Sequence, residues 1–313
     1  MKQFEDLYNE INNNEELTTV WKQAREEEQK IKKITLPIHI IVTLILLIAM
    51  REKIEFNFAF VMPTIFVIVF VNLLIFAIAT IFRKKQREYG KVFKNVIIKE
   101  LINNFYNNVE YFPNKEMPER IYDEGKYEYY NRYYSDDYIE AMINNGYNVT
   151  MAEVKTVEER TTTDSDGDTH TTRITKFHGI FAKIVIDKSI NSKLEIKRNR
   201  TGGFGKNKLE MDSSEFEKYF DVLATNKIIG MQLLTADVME ELINFINKTN
   251  IGYDIIINNN NIYLRFHCGT MFEPQSLKKG IIDKQQVEKY FYMLNFTYNL
   301  SNKIIKTIHE TEI

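Results

Sequence analysis

What this chain lacks narrows its function before anything it contains. Its one cysteine, Cys268, leaves no second thiol for an internal disulfide, which suits a reducing compartment. A net charge of −2 is too near neutral for a dedicated nucleic-acid surface, so no nucleic-acid partner is expected. The histidines are His39, His170, His178, His267 and His309, and none pairs with Cys, His or a carboxylate at zinc-ligand spacing. A dinucleotide glycine fingerprint and a serine elbow are both missing. The expected site list is therefore empty, with no catalytic, cofactor-binding or metal-ligating residue, and no cofactor. An enzyme is not the favoured reading.

Charge is also missing from two neighbouring stretches, Ile34–Met50 and Phe56–Phe82. At a helical rise of roughly 1.5 Å per residue they extend about 26 and about 40 Å, against a hydrocarbon core of about 30 Å. Residues 34–82 thus read as a two-helix transmembrane hairpin, with Arg51–Glu55 as a connection short enough to make the helices antiparallel neighbours. A signal peptide is the poorer reading of the first run, because a long Glu-rich segment precedes it and no small-residue cleavage site follows it. The lack of Asp, Glu, Lys and Arg in either run argues against an ion pathway or transporter. Pro37 falls in the first turn of its helix, where its missing N–H costs little, and Pro63 is expected to kink the second. Asn72 lies deep in the second run and is expected to bond across to the first helix or to a second copy, which leaves a homo-oligomer open.

Basic residues set the topology. Lys22, Arg25, Lys30, Lys32 and Lys33 precede the pair; Arg83, Lys84, Lys85, Arg87, Lys91, Lys94 and Lys99 follow it; the connection holds only Arg51 and Lys53. Such a bias predicts a multi-pass protein of the cell membrane with both termini cytoplasmic. The lipid bilayer is then the first partner, with the Arg83–Arg87 cluster against anionic headgroups.

The rest divides by pattern. Residues 1–33 form an amphipathic helix through Phe4, Leu7, Tyr8, Ile11, Leu17, Trp21 and Ala24, breakable at Asn12–Asn14. Residues 83–118 are a basic juxtamembrane helix over Arg83–Asn108, then a linker marked by Pro113 and Pro118. Residues 119–313 are a cytoplasmic domain. Its run of Tyr122, Tyr127, Tyr129, Tyr130, Tyr133, Tyr134 and Tyr138 reads as core and edge packing, since no basic stripe accompanies it for stacking on bases. Tyr147–Arg160 and Thr171–Asp187 make a long hairpin. Further strands are expected at Lys193–Lys197, Lys227–Leu233, Tyr253–Ile257 and Ile262–His267, the last two turning at Asn259-Asn260. Helices are expected at Ser213–Leu223, at Ala236–Asn247 with Thr235 as N-cap and Asn250 and Gly252 as stop, and at Asp283–Glu310 with a break near Asn299. Strands and helices in blocks indicate α+β, with an antiparallel sheet and a C-terminal helix.

Few side chains suggest chemistry. Asp164, Asp166 and Asp168 fail as a calcium loop, because Gly167 is fourth and Thr175 is twelfth; they read as a solvated hairpin tip. The run Gly202-Gly203-Phe204-Gly205-Lys206 lacks phosphate-loop spacing and reads as a connection. His267 and Cys268 are adjacent strand residues that point to opposite faces. Arg265, on an apolar strand, needs a carboxylate partner and is the candidate ligand contact. For an enzyme, Asp136, Asp137, Asp164, His170, His178 and Arg265 would have to converge on one pocket.

A set of short motifs carries a resemblance. They are Ser135-Asp136-Asp137-Tyr138-Ile139-Glu140, Phe177-His178-Gly179-Ile180-Phe181-Ala182, and Met211 through Val222. Gln232-Leu233-Leu234-Thr235, Ile262-Tyr263-Leu264-Arg265-Phe266 and Met271-Phe272-Glu273 complete the set. With the Glu-rich start and apolar pair, the chain resembles a bacterial membrane family, domain of unknown function 3137, over most of its length after the first 30 residues or so. That resemblance transfers no activity and no catalytic residue. The motifs read structurally: Gly179 allows a close backbone approach, and Asp212 or Ser213 caps the helix carrying Phe216 and Phe220. The functional expectation is a membrane-anchored cytoplasmic binding or scaffolding module for a partner protein, lipid headgroup or small ligand. The alternatives are an enzyme on a membrane-proximal substrate and an accessory subunit of a membrane complex.

Overall fold

The computed structural model describes residues 1–51, 58–81, 83–143, 146–164, 166–199, 207–274 and 276–311. The chain divides into two units. One comprises Asn9–Val96 with Pro274–Asp283, the other Met1–Tyr8, Ile97–Glu273 and Lys284–Ile313.

Helices dominate the first unit. The N-terminal segment breaks where Asn12–Asn14 predict, between α1 (Phe4–Asn12) and α2 (Glu15–Arg51). Asn14 begins the new helix by accepting the Leu17 N–H at 2.9 Å. The amphipathic segment and the first apolar run are one continuous helix, so Pro37 lies in the interior of α2 and not in a first turn. The second apolar run forms α3 (Phe58–Ile81). The expected connection and Phe56, Asn57 and Phe82 fall, apart from Arg51, outside the described residues. Asn72 bonds across the pair as expected: its Oδ1 lies 2.5 Å from His39 Nδ1, and its Nδ2 donates to Ile68 O at 2.8 Å and lies 3.4 Å from Thr43 Oγ1. Among the described residues, no helix is long and apolar enough to cross a membrane, so the hairpin stands here as a helical pair and not as a demonstrated span. After it comes α4 (Lys84–Phe93), whose first turn is capped by Glu27 of α2, accepting from Lys85 N at 2.8 Å and Gln86 N at 3.1 Å.

A π-helical turn (Lys94–Ile98) and α5 (Lys99–Asn103) end the basic helix well short of Asn108. Residues Asn107–Phe112 are instead β1, paired antiparallel with β2 (Arg132–Met142). Asn-rich sequence is a weak helix former, and the open edge of β2 offers its backbone a ladder.

The sheet is antiparallel throughout. Strand β2 pairs with β3 (Asn148–Thr163), and β3 with β4 (Thr169–Arg198) in the predicted long hairpin. Its tip is the solvated turn expected of the three aspartates: Asp164 Oδ1 accepts from Asp166 N at 3.0 Å and Asp168 N at 2.9 Å. Strand β4 runs on to Arg198 and absorbs the strand expected separately at Lys193–Lys197. Two short strands, β5 (Lys208–Leu209) and β6 (Phe220–Ala224), complete its far side. The helix expected over Ser213–Leu223 stops early: α7 (Ser214–Tyr219) is capped by the Ser213 side chain, and Phe220 onward joins β4 as strand.

The segment expected as a strand at Lys227–Leu233 is a helix, α8, over the same residues. Its Ile228-Ile229 pair suggests a strand, but the Asn226 side chain accepts both of their N–H groups, and Ile228 stays exposed. Helix α9 (Ala236–Thr249) follows the reading closely. The Thr235 side chain accepts from Val238 N, and Asn250 ends the helix in the left-handed region. Thr235→Ala is expected to lower stability by about 1 kcal/mol in denaturant titration, with an unchanged m value.

Strand β7 (Gly252–His267) is one continuous strand through Asn259-Asn260, not the hairpin of two strands expected there, and among the described residues it pairs with β4 alone. Its first part pairs with β4 around Leu194–Ile196, its second with β4 around Ile180–Val185. The Tyr253 and Phe266 rings are 6.2 Å apart, and Asp254 touches Arg265 at 2.8 Å. A straight strand would hold residues so separated about 35 Å apart. The ladder with β4 stays antiparallel on both sides of a sharp bend, marked by Asn259 with φ +53 and by register shifts between Val185 and Lys193. Helix α10 (Lys284–Glu310) is unbroken at Asn299. Its polar residues bond back along it, Thr297 to Met293 O at 2.9 Å and Ser301 to Thr297 O at 2.6 Å.

The two faces of the sheet differ. On one, α9 and α10 bring Phe245 and Phe296 against Tyr253 and Phe266. On the other, Met117 and Tyr122 cover Ala152, Val154, Phe177, Phe181, Ile256 and Tyr263 in one apolar cluster. Much of the tyrosine run is thus core and edge packing, as read from the sequence, although Tyr129 and Tyr134 stay exposed.

Candidate functional site

Arg265 is only 4 % exposed, and everything notable on the tyrosine-covered face is built around it. A buried guanidinium must be paired, and the sequence requires a carboxylate for it. Two are present. Arg265 Nη2 donates to Asp254 Oδ2 at 2.8 Å, and Nη1 donates to Glu128 Oε1 at 2.8 Å and to the Tyr122 hydroxyl at 3.2 Å. Its Cζ sits 3.8 Å from the centre of the Tyr127 ring and 5.2 Å from that of Phe177. Tyr127 reaches this position because its neighbour is Gly125: a Cβ there would fall 2.3 Å from the Tyr127 ring. Arg265 Nε and the Tyr127 hydroxyl are both buried with no hydrogen-bond partner.

His267 shares the same carboxylate, its Nε2 lying 2.8 Å from Asp254 Oδ2. It stands on the Arg265 face, two residues along β7. Burial resists ionisation of Asp254, but the bonds from His267 and Arg265 more than offset that and hold its carboxyl below the ordinary range. A cleft of about 400 Å³ opens beside this group, lined by Glu128, Thr175, Lys176, Lys197, Arg198 and the Asp254–Arg265–His267 set.

The residues proposed for an enzyme do not converge. Asp136 and Asp137 come together with Glu273, with one oxygen from each inside a 4.8 Å group, and Asp137 also accepts from the Tyr111 hydroxyl at 2.5 Å. His178 lies 3.8 Å from Glu153 and 3.3 Å from the Thr270 hydroxyl; Glu153 is the cross-strand neighbour of Asp136. This acidic group lies on the helix-covered face, opposite Arg265. Asp164 and His170 are 3.4 Å apart at the exposed hairpin tip. Cys268 is half-buried just past the end of β7: its thiol donates to Phe266 O at 3.3 Å, and desolvation pushes its pKa up to about 12. That is the state of an inert thiol and not of a nucleophile. His39 bonds to Asn72, and His309 lies 3.2 Å from Asp187. The run at Gly202–Lys206 lies outside the described residues.

Sequence reasoning reached Arg265 and missed its partners. Asp254 reaches Arg265 because β7 bends sharply within its ladder with β4, and not through the hairpin turn expected at Asn259-Asn260. Nothing in the sequence points to Glu128 or Tyr127, which arrive from a distant loop.

No curated protein and no solved structure matches the chain. The motifs at Phe177–Ala182, Met211–Val222, Gln232–Thr235, Ile262–Phe266 and Met271–Glu273 fall within a family match, whereas Ser135–Glu140 and the apolar pair fall outside it. The matched segment carries β4, β7 and the Arg265–Asp254–His267 set, and over these residues, 175–306, the chain matches the family described as protein of unknown function DUF3137.

Proposed function

We propose that this chain is a membrane-anchored binding module, with α2 and α3 seated in a bilayer as a hairpin and both termini on its cytoplasmic side. The observation that carries the reading is the apolar surface of the two helices. Ile34, Leu36, Leu44, Ile45 and Ile48 of α2 are exposed, as are Phe66, Phe70, Leu73 and Phe76 of α3; Phe66 reaches 70 %. In water such a surface is an aggregation hazard, whereas in lipid it is the expected exterior. The polar side chains His39, Thr43 and Asn72 satisfy one another between the helices, as a hydrocarbon surrounding requires. Basic residues on both flanks orient the pair, and tethering concentrates a binding unit near partners at the membrane. Binding is favoured over catalysis because, among the described residues, the clefted site holds ion pairs and aromatic rings but no activated nucleophile.

Alkaline carbonate extraction, followed by protease treatment of spheroplasts and of inside-out vesicles, tests the anchor. The full chain with a C-terminal tag is expected in the membrane pellet, with the tag protected in spheroplasts and removed in inverted vesicles. Release by carbonate, or loss of the tag in intact spheroplasts, would refute it.

One observation favours an enzyme acting on a membrane-proximal substrate. Asp254 and His267 form an oriented acid–base pair at the wall of a cleft.

A further inference from the structure

We propose that the cleft beside Arg265 binds a phosphate group, carried by a small phosphorylated ligand or by a phospholipid headgroup. The inference deepens the binding reading above and rests on it, but it does not require the hairpin to span a bilayer.

The argument begins with how the rim cations are paired. Lys176 reaches Glu158 at 2.7 Å, but the same carboxylate also holds Arg160 at 2.5 Å. Lys197 reaches Glu195 at 2.5 Å, and that carboxylate also holds Lys193 at 2.5 Å. Each rim carboxylate thus serves two cations and leaves one positive charge over. Arg198, exposed at the end of β4, has no ion pair among the described residues. The two carboxylates that line the cleft, Asp254 and Glu128, are already engaged by Arg265, and Asp254 also by His267. Counted together, six permanent cations face four carboxylates, so the cleft carries a surplus close to the charge of a phosphate dianion.

Shape and donors point the same way. Lys176, Lys197 and Arg198 supply N–H donors from different positions on β4, and Thr175 adds a hydroxyl. A tetrahedral oxyanion accepts from several directions at once, whereas a carboxylate presents one plane. A guanidinium with unused N–H groups is the side chain best fitted to clamp it. A cleft of about 400 Å³ accepts a small ligand or one headgroup, not a folded partner. The buried Arg265 Nε, without a partner, shows that the hydrogen-bonding capacity of this wall is incompletely used.

The test uses the full chain in dodecyl maltoside micelles and inorganic phosphate as the probe, in buffers matched for ionic strength with chloride. Isothermal titration is expected to show saturable binding at millimolar phosphate, accompanied by a higher unfolding temperature. Arg198→Gln and Lys176→Gln should each weaken it about tenfold, the scale of one charge-assisted hydrogen bond. Both side chains lie at the rim, so the ligand-free unfolding temperatures should stay near that of the parent. No saturable binding, or binding unchanged in both variants, overturns the proposal. Two further arms separate the sources: glycerol 3-phosphate in micelles, and nanodiscs of phosphatidylcholine with or without phosphatidate. Tighter binding of the soluble ester assigns a free ligand, and a signal confined to phosphatidate discs assigns a headgroup. A chain extracted by carbonate that still binds phosphate would fail the anchor alone, and a membrane-held chain that ignores phosphate would fail this proposal alone.

Discussion

Arg265→Ala is expected to destabilise the sheet unit by about 3–5 kcal/mol, because it strips the partner from the Asp254 carboxylate, which stays largely buried. Asp254 is 12 % exposed at its side chain and would keep only His267, while Glu128 and the Tyr122 hydroxyl would lose a donor. The stacked Tyr127 ring would also lose its cation. For a domain of this size the loss corresponds to about 10 °C in unfolding temperature. Arg265→Met separates the contributions. It retains packing against Tyr127 and Phe177 but not the charge, so most of the loss should persist. Pairing it with Asp254→Leu removes the orphaned carboxylate and should recover part of the stability, a coupling that a double-mutant cycle reads directly.

The pH dependence has a definite sign. The Asp254 carboxyl is depressed in the folded chain, so its stabilising contribution is complete above the unfolded value of about 3.9 and is lost as pH falls through the folded value. Removing Arg265 removes one of the groups that depress it. The deficit of Arg265→Ala should therefore shrink toward acid, where Asp254 is neutral in the variant. A deficit that is the same at pH 7 and pH 4 would show that packing, not charge, dominates.

Gly179→Ala is the second large effect expected, at about 3 kcal/mol or more, with loss of a single folded state as an outcome in keeping with it. A Cβ at Gly179 would fall 1.8 Å from Phe266 O and 2.9 Å from Cys268 N. Both are backbone atoms and cannot rotate aside. The crowding arises where β7 leaves the sheet: Cys268 N bonds back to Phe266 O at 3.0 Å, and Gly269 N bonds to His178 O at 3.1 Å across the same point. Gly90→Ala is the control. Its added methyl would meet only Pro274, at 3.9 Å, on a helical backbone, so it should be neutral or stabilising by up to about 1 kcal/mol. Thermal unfolding of both variants, followed by far-UV circular dichroism, checks the pair. Equal unfolding temperatures would contradict the close approach.

How far the sequence could be read follows from how local each signal is. Thr235, Asn250 and Ser213 act on their own helices, and all three perform the capping their side chains predict. Asn259-Asn260 reads as a hairpin turn, but the ladder with β4 continues through it and keeps β7 one bent strand. The errors lie where a distant strand decides. Phe220–Ala224 continues an amphipathic helix by pattern but is held as strand by Leu194–Arg198 of β4. Asn107–Phe112 follows a helix and is captured by β2. Lys227–Leu233 carries the β-branched pair Ile228-Ile229, yet the Asn226 cap turns it into a helix. The site divides in the same way. Arg265 announces itself as a charge on an apolar strand, whereas Asp254, brought by the bend of β7, and the loop bearing Tyr127 and Glu128 find it only in three dimensions.

The long ladder between β7 and β4 also constrains how the chain reaches this state. Strand β4 is complete at Arg198, but the strand that covers its open side begins only at Gly252. During synthesis the β3–β4 hairpin therefore leaves the ribosome with a long row of unpaired backbone groups, Ile180–Val185 among them, exposed until the last fifth of the chain emerges. Pairings so distant in sequence close slowly. Truncation before Gly252 would leave that edge permanently open, and such fragments should accumulate as inclusion bodies and not as a smaller folded protein.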